Sequence, residues 1–342
     1  MDIVNIGIIG YGYWGPNLVR NFTEVSGAKV VAVSDFKQEM LTKVQARYPN
    51  IKVTTESQDL FENPKIDAIA IATPVSTHFD LAWTALQAGK HVFLEKPLTS
   101  TSEQAIQLIE EAKRRNLILM VDHTFVYTGA VRKMRELVKN AELGDIYYYD
   151  SVRVNLGLFQ PDINVIWDLA VHDLSIMDYV LSSQPVAVSA TGMSHIPGKP
   201  ENIAYLTLFF NGNLMAHFHV NWLAPVKIRN TLLGGSQKMI VYNDLELSEK
   251  IKIYDKGVII ADDPEQVYKM RVGYRTGDIW IPQLDRTEAL RTEALHFIHC
   301  IQVNESPITD GEAGLRVVRI LEAATQSMHK RGQIVELGTK QG

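Results

Sequence analysis

Short aliphatic stretches alternate with amphipathic ones along the N-terminal part of the chain. Ile3-Val4-Asn5-Ile6-Gly7-Ile8-Ile9 reads as a buried strand, and Lys29 to Ser34, Asp67 to Ala72, His91 to Leu94 and Ile118 to Val121 read the same way. Continuous β-branched and aliphatic runs suit a parallel sheet covered on both faces, where neither side is left to water. Between these runs the apolar positions fall at helical spacing. Leu18, Val19 and Phe22 lead one such stretch, and Leu81, Ala85 and Leu86 lie on another. Ala105, Ile106, Ile109 and Ala112 form a stripe between Ser102 and Asn116, with Ser102 as the expected N-cap. Strands and helices in alternation, joined by short connections, predict a right-handed parallel α/β sheet.

The period changes after Val121. A helix is expected over Ala130 to Asn140, ending at Gly144. Beyond it the strands lengthen and alternate. Ala204, Leu206, Leu208 and Phe210 share one parity, and Leu214, Ala216, Phe218 and Val220 share one on the return. Asn211-Gly212 between them is a hairpin signal, because both residue types tolerate the positive φ of tight turns. Ser151 to Leu156, Met239 to Tyr242 and Ile251 to Tyr254 are further strand runs; Trp167 to Leu181, Glu288 to Val303 and Ala313 to Lys330 read as helices. No long linker, low-complexity tract or internal repeat interrupts the pattern. The expected organisation is an α/β domain over residues 1–122, then an α+β domain with a mostly antiparallel, open-faced sheet over residues 123–342.

Composition narrows the class. The chain has 342 residues, 46% hydrophobic and 21% charged, enough for two ordinary globular domains. Its formal net charge of −5 argues against non-specific binding to nucleic acid or to an anionic membrane. The single cysteine, Cys300, excludes an intramolecular disulfide and a four-thiolate zinc site. No apolar run approaches the ~20 residues of a spanning helix. Met1-Asp2-Ile3-Val4-Asn5 lacks a basic n-region, and Gly7 and Gly10 interrupt the apolar stretch, so no signal peptide is expected. The expected location is the cytoplasm.

Gly10-Tyr11-Gly12-Tyr13-Trp14-Gly15 follows the first strand and opens a helix at Pro16-Asn17-Leu18, with the spacing G-x-G-x-x-G. The first glycine allows a tight turn, the second lets the backbone approach a pyrophosphate, and the third lets helix and strand pack closely. Free N–H groups at the helix N-terminus then face the anion. Pro16 suits the first turn, where its missing N–H leaves nothing unpaired. Asp35 ends the second strand at the usual place of a ribose-binding acid, so NAD is expected over NADP. Lys37 nearby would soften that discrimination, and Asp35 could also cap the next helix.

The fourth strand runs into Ala72-Thr73-Pro74-Val75-Ser76-Thr77-His78, and the fifth into Glu95-Lys96-Pro97. Carboxyl ends of parallel strands are where ligands sit. Further on, Trp167-Asp168-Leu169-Ala170-Val171-His172-Asp173 places Asp168 and His172 four apart, on one face of a helix. The glycine loop, Glu-Lys-Pro and Asp-x-x-x-His, in this order, resemble the glucose–fructose oxidoreductase / inositol dehydrogenase / MocA family. The likeness spans nearly the whole chain.

The resemblance implies a Rossmann domain, an open-faced sheet domain and catalysis at their junction. It implies hydride transfer between nicotinamide and a secondary-alcohol carbon of a sugar, cyclitol or related polyol. Lys96, His172 and Asp168 would be catalytic. His172 would be the general base in oxidation, since an imidazole titrates near neutral pH, and Lys96 would hold the hydroxyl oxygen and stabilise its developing charge. These two roles are interchangeable on this reading, and Asp168 would orient the substrate or His172. Gly10, Gly12, Tyr13, Trp14, Gly15, Asp35, Thr73, Pro74, His78, Glu95 and Lys96 would contact the cofactor. Asp173 is expected to cap or pair structurally.

Other polar residues are candidates for the substrate. His123 and Tyr127 sit at the domain crossover, and Arg153 and Asn155 share a strand face. His217 and His219 also share a face, but no third ligand has helpful spacing, so no metal is expected. The stretches Arg153 to Gly157 and Asn164 to Asp173 resemble family members associated with surface-polysaccharide sugars. That implies a UDP-linked N-acetylhexosamine oxidised at C3, with Arg153 available to a diphosphate. Alternatives are an inositol or aldose dehydrogenase, an NAD-dependent glycoside hydrolase using the same residues, and a non-catalytic dinucleotide sensor. A sensor would dispense with Lys96, Asp168 and His172, which are all present. The open sheet face suggests a homodimer or homotetramer.

Overall fold

The aliphatic runs at the N-terminal end lie side by side as a six-stranded sheet in the computed structural model, which describes residues 3–157, 163–255, 257–259, 273–275 and 277–338. The elements are β1 (Val4–Ile9), α1 (Gly15–Glu24), β2 (Ala28–Ser34), α2 (Gln38–Arg47), β3 (Lys52–Thr54), α3 (Gln58–Phe61), β4 (Ala68–Ile71), α4 (His78–Gln87), β5 (His91–Glu95), α5 (Ser102–Arg115) and β6 (Leu119–Asp122). The strand order is β3-β2-β1-β4-β5-β6, all parallel. The order reverses between β1 and β4, which opens a crevice at the carboxyl ends of these strands. Ile6, Ile8, Ile69, Ile71, Phe93 and Leu94 are fully buried, as expected of strands covered on both faces. Phe93 meets Phe22 of α1 edge-on at 5.4 Å.

In this unit α2, β3 and the four-residue α3 lie outside the sequence reading. β3 is an edge strand of three residues, and α2 buries only Leu41 and Val44, so neither leaves a clear apolar period. The helix cap also moves by one residue. Thr101, in the extended region, accepts from the Gln104 N–H, and α5 begins at Ser102, which is therefore not the cap.

The chain then gives α6 (Gly129–Lys139), β7 (Ile146–Leu156), α7 (Val171–Val180), β8 (Pro185–Met193), β9 (Ile203–Phe210), β10 (Met215–Asn221), β11 (Leu223–Gly235), β12 (Met239–Asn243), β13 (Ile251–Tyr254), β14 (Gly257–Ile259), β15 (Gly273–Arg275), β16 (Ile279–Trp280), α8 (Ala289–Val303), α9 (Gly311–His329) and β17 (Val335–Glu336). A nine-stranded sheet has the order β16-β13-β12-β11-β7-β10-β9-β8-β17. Its pairs are antiparallel apart from β7 and β10, which run parallel. One face carries the expected core: Ala204, Leu206, Leu208, Ala216, Phe218 and Val220 are buried. The β9–β10 hairpin forms, with Gly212 at φ +91°, but Phe209 pairs with Met215, so the loop is longer than a two-residue turn. Leu214 falls in that loop rather than on the strand face.

The chain divides into two units, residues 1–128 with 287–319, and residues 129–286 with 320–342. This differs from a single cut at 122/123. The segment with α8 and the start of α9 belongs to the first unit, because Phe297 of α8 packs on Phe93 at 5.4 Å and Thr309 bonds to the Val121 carbonyl. A sequence-local reading has no means of returning a late helix to an early sheet.

Candidate active site

The glycine loop is shaped by what a side chain would strike. Gly10 has φ +95°, and a Cβ there would lie 2.6 Å from the Ala72 carbonyl oxygen. A Cβ on Gly15 would collide with the Gly10 carbonyl oxygen. Gly12 is different: nothing lies within 4 Å of its Cβ position. Two glycines thus close the turn while the middle one leaves its backbone approachable. Helix α1 starts directly after, with no side-chain cap at Trp14 and no acid in its first turn. Its N-terminus is left to an external anion. Tyr13 is almost fully exposed and Trp14 half-buried.

Asp35 directly follows β2 and is 8% exposed. Its Oδ2 accepts the Tyr11 N–H at 2.7 Å and its Oδ1 the Lys37 N–H at 2.9 Å. One carboxylate thus ties the glycine loop to the strand end, and each oxygen retains lone-pair capacity for a ribose hydroxyl. These features fit a dinucleotide: closed glycine turn, open Gly12 backbone, uncapped helix start and an acid at the second strand.

After β4, Thr73 accepts the Thr77 hydroxyl at 2.7 Å, and Pro74 is exposed. His78 is fully buried, with Nε2 2.9 Å from the Thr73 carbonyl and Nδ1 2.9 Å from the Pro97 carbonyl. Both ring nitrogens face protein carbonyls, so the His78 ring joins the two loops and has no free nitrogen for the cofactor contact expected from the sequence. Burial lowers its pKa, so the neutral ring donates to one carbonyl at a time. Lys96, joined to Pro97 by a cis peptide, is half-buried beside it.

Asp122 ends β6 and accepts the Trp14 indole N–H at 2.7 Å and the Thr124 hydroxyl. Burial holds its carboxyl above the usual range, and burial plus Asp122 holds Glu95 well above it. His123 is 2% exposed, and neither ring nitrogen meets a hydrogen-bond partner among the described residues. Burial, aided by the Lys96 charge, lowers its pKa to about 3, so the ring is neutral. Tyr127 is buried, its hydroxyl 3.2 Å from the Thr309 hydroxyl. These two candidate substrate contacts therefore lie in the interior of the first unit.

In the second unit Asp168 and His172 do not share a plain α-helix. Residues Ile166–Ala170 form a π-helical turn, in which the Val171 N–H donates to the Ile166 carbonyl, and α7 begins at Val171. Asn164 starts the turn by accepting the Ile166 and Trp167 N–H groups at 3.1 and 3.3 Å. A π turn widens the backbone and re-aims its side chains, and such turns recur at functional sites. Asp168 accepts the Trp222 indole N–H at 3.0 Å, and His172 is half-buried in the first turn of α7.

Arg153 departs from its expected role. It is 2% exposed and grips Asp173 with two bonds, Nε to Oδ2 at 2.7 Å and Nη2 to Oδ1 at 2.9 Å. A guanidinium engaged this way does not present its fork to a diphosphate. Asn155 is half-buried on the same strand. His217 and His219 stack on Tyr205 at 6.4 and 4.5 Å. Among the described residues no group of three or more His, Cys, Asp or Glu could hold a metal, and no helix is long and apolar enough to cross a membrane.

Several of these features have no local sequence signal. The Trp14–Asp122 and Asp168–Trp222 bonds join residues far apart in the chain. Glu293 is an exception. It sits with Leu290, Ala294 and Phe297 on the buried stripe of α8, where a lone carboxyl is conspicuous.

Residues 4–123 match the family described as "Oxidoreductase family, NAD-binding Rossmann fold", and residues 131–241 match the "GFO/IDH/MocA C-terminal domain". The chain belongs to the Gfo/Idh/MocA oxidoreductase family. It is 28% identical over 322 residues to the UDP-N-acetylglucosamine 3-dehydrogenase of Acidithiobacillus ferrooxidans, covering 91% of this chain and 93% of that one. The solved structure of that enzyme superposes with a TM-score of 0.79 at 26% identity, over 96% of this chain and 98% of that one. The chain is also 23% identical over 353 residues to the myo-inositol 2-dehydrogenase of Thermotoga maritima, covering 97% and 98%. The six-stranded unit of this Gfo/Idh/MocA oxidoreductase is thus an NAD-binding Rossmann fold.

Proposed function

We propose that this oxidoreductase is an NAD-dependent dehydrogenase of a secondary alcohol on a sugar or polyol, acting on C3 of a UDP-linked N-acetylhexosamine. The observation that carries the dehydrogenase reading is that Lys96, Asp168 and His172 are each set in built surroundings: a loop held by His78, and a π turn whose carboxylate is fixed by Trp222. The likeness to UDP-N-acetylglucosamine 3-dehydrogenase over nearly both full lengths supports the substrate.

In the oxidising direction His172 would serve as the general base and Lys96 would stabilise developing negative charge, the two roles being interchangeable on this reading. Asp168, kept in place by Trp222, orients His172 or the ring being oxidised. Gly10, Gly12, Trp14, Gly15 and Asp35 would hold the dinucleotide, whose nicotinamide supplies the hydride acceptor when bound. Asp35, an acid just after the second strand, would favour NAD by repelling a 2′-phosphate.

A second reading, a free cyclitol as substrate, is supported by the equally complete likeness to myo-inositol 2-dehydrogenase. A panel of UDP-N-acetylhexosamines, myo-inositol and free aldoses, followed by absorbance of the reduced cofactor, separates the two. Lys96→Ala and His172→Ala should each lower kcat by about 10²–10⁴-fold while NAD still binds. Normal turnover in either variant removes that residue from the chemistry. Turnover of myo-inositol without binding of any UDP-sugar overturns the nucleotide-sugar reading.

A further inference from the structure

Three carboxyl groups meet around the end of β6, in a part of the first unit that the proposed chemistry leaves unused. Asp122 is 1% exposed and Glu293, on α8, is 0% exposed. Glu95 is the register partner of Asp122 across the parallel β5–β6 ladder, so both side chains leave the same face of the sheet. The two donors on Asp122, the Trp14 indole and the Thr124 hydroxyl, favour its ionised form. Neither carboxyl oxygen of Glu293 meets a donor among the described residues. An ionised Glu293 would be a second buried charge beside Asp122. A protonated Glu293 removes the charge and turns one oxygen into a donor that Asp122 can accept.

We propose that Glu293 is a positioning residue for the dinucleotide loop: held as a neutral acid, it donates to Asp122 and fixes the carboxylate that anchors Trp14. Trp14 lies between Gly12 and Gly15 and is the N-cap of α1, so its placement sets the helix start that faces the pyrophosphate. Removing the proton places two like charges side by side, and Asp122 relieves the repulsion by leaving Trp14. The groups around Glu293 and Asp122 are Glu95 and Lys96 from the end of β5, His123 and Tyr127 from the turn after β6, and Thr124 and Trp14. Burial keeps His123 neutral and pushes the Tyr127 hydroxyl up. Burial and the Asp122 charge likewise hold Glu293 well above the usual carboxylate range. The pocket therefore disfavours the ionised form of Glu293.

The test is NAD affinity, measured by calorimetry between about pH 6.5 and 10, in the wild type, Glu293→Gln and Glu293→Leu. Glu293→Gln keeps a neutral donor. It should bind within about threefold of wild type near pH 7 and hold that affinity as the pH rises, whereas the wild type loses about tenfold with a one-proton dependence. Glu293→Leu fills the space without a donor and should bind about tenfold more weakly throughout, the scale of one hydrogen bond to a charge. Wild-type affinity in Glu293→Leu overturns the proposal. So does a loss in Glu293→Gln near pH 7 equal to that of Glu293→Leu, or an alkaline fall in Glu293→Gln that matches the wild type. Circular dichroism accompanies each variant. If Glu293→Leu fails to fold, the pH comparison of wild type with Glu293→Gln decides alone.

Discussion

Arg153→Ala separates two roles for this residue, a ligand of the substrate and a structural member of the core. In the native protein its guanidinium meets Asp173 at 2.7 and 2.9 Å, with Arg153 2% and Asp173 4% exposed. Removing one partner of such a pair leaves a desolvated charge and costs about 3–5 kcal/mol. At roughly 2–4 °C per kcal/mol for a domain of 150–250 residues, Tm should fall by about 6–20 °C. Arg153→Met with Asp173→Leu removes both charges together and should recover most of the Tm, because no unpaired charge remains. Calorimetric scans of the two variants with NAD omitted measure this, and KM values for a UDP-sugar and a free sugar accompany them. An unchanged Tm in Arg153→Ala, with KM raised for the UDP-sugar alone, would refute the structural assignment.

Asp35→Ala should relax the discrimination against NADP, read as the ratio of Kd values for the two cofactors; tighter NADP binding by the wild type would falsify the ribose assignment. Trp222→Phe keeps an aromatic ring, though a smaller one, but loses the N–H to Asp168, so kcat should fall about tenfold or more with NAD binding unchanged. Unaltered kcat would show that the indole does not position a working carboxylate. Burial pushes the Cys300 thiol up to about 11, so it should react with a thiol reagent at about pH 8 only after unfolding. Rapid labelling of the native protein would contradict that.

The parts of the fold that were legible are those in which each residue answers to its own neighbours. The five aliphatic runs became β1, β2, β4, β5 and β6, since a doubly covered strand carries its environment in every side chain. The glycine loop was legible for the same reason: the turn, the open backbone and the helix start all lie within one short segment. Arg153 shows the limit. Its place on a strand could be read from the sequence. Its burial against Asp173 could not, because the partner sits on α7 and an arginine on a strand near candidate site residues reads as a contact for an anionic substrate. The plain helix read over Asp168 and His172 also gave way, since the π turn depends on the Asn164 cap and on Trp222, remote in sequence.

The two tryptophan–carboxylate bonds suggest why these carboxylates are held by indoles rather than by cations. Trp14 holds Asp122 at 2.7 Å in the first unit, and Trp222 holds Asp168 at 3.0 Å in the second. An arginine in either place would form a stronger bond, as Arg153 does with Asp173, but it would also neutralise the carboxylate. An indole is a donor without charge, and its large apolar ring excludes water from the bond it makes. The carboxylate is therefore fixed in direction while its negative charge stays available. On the proposed mechanism that charge is what Asp168 would need to orient an imidazole that gains a proton, and Asp122 would contribute it beside Lys96. Trp222→Arg should consequently do more harm than Trp222→Phe to kcat, although it offers Asp168 more hydrogen bonds. Equal or higher turnover in Trp222→Arg would show that Asp168 serves only as a structural acceptor.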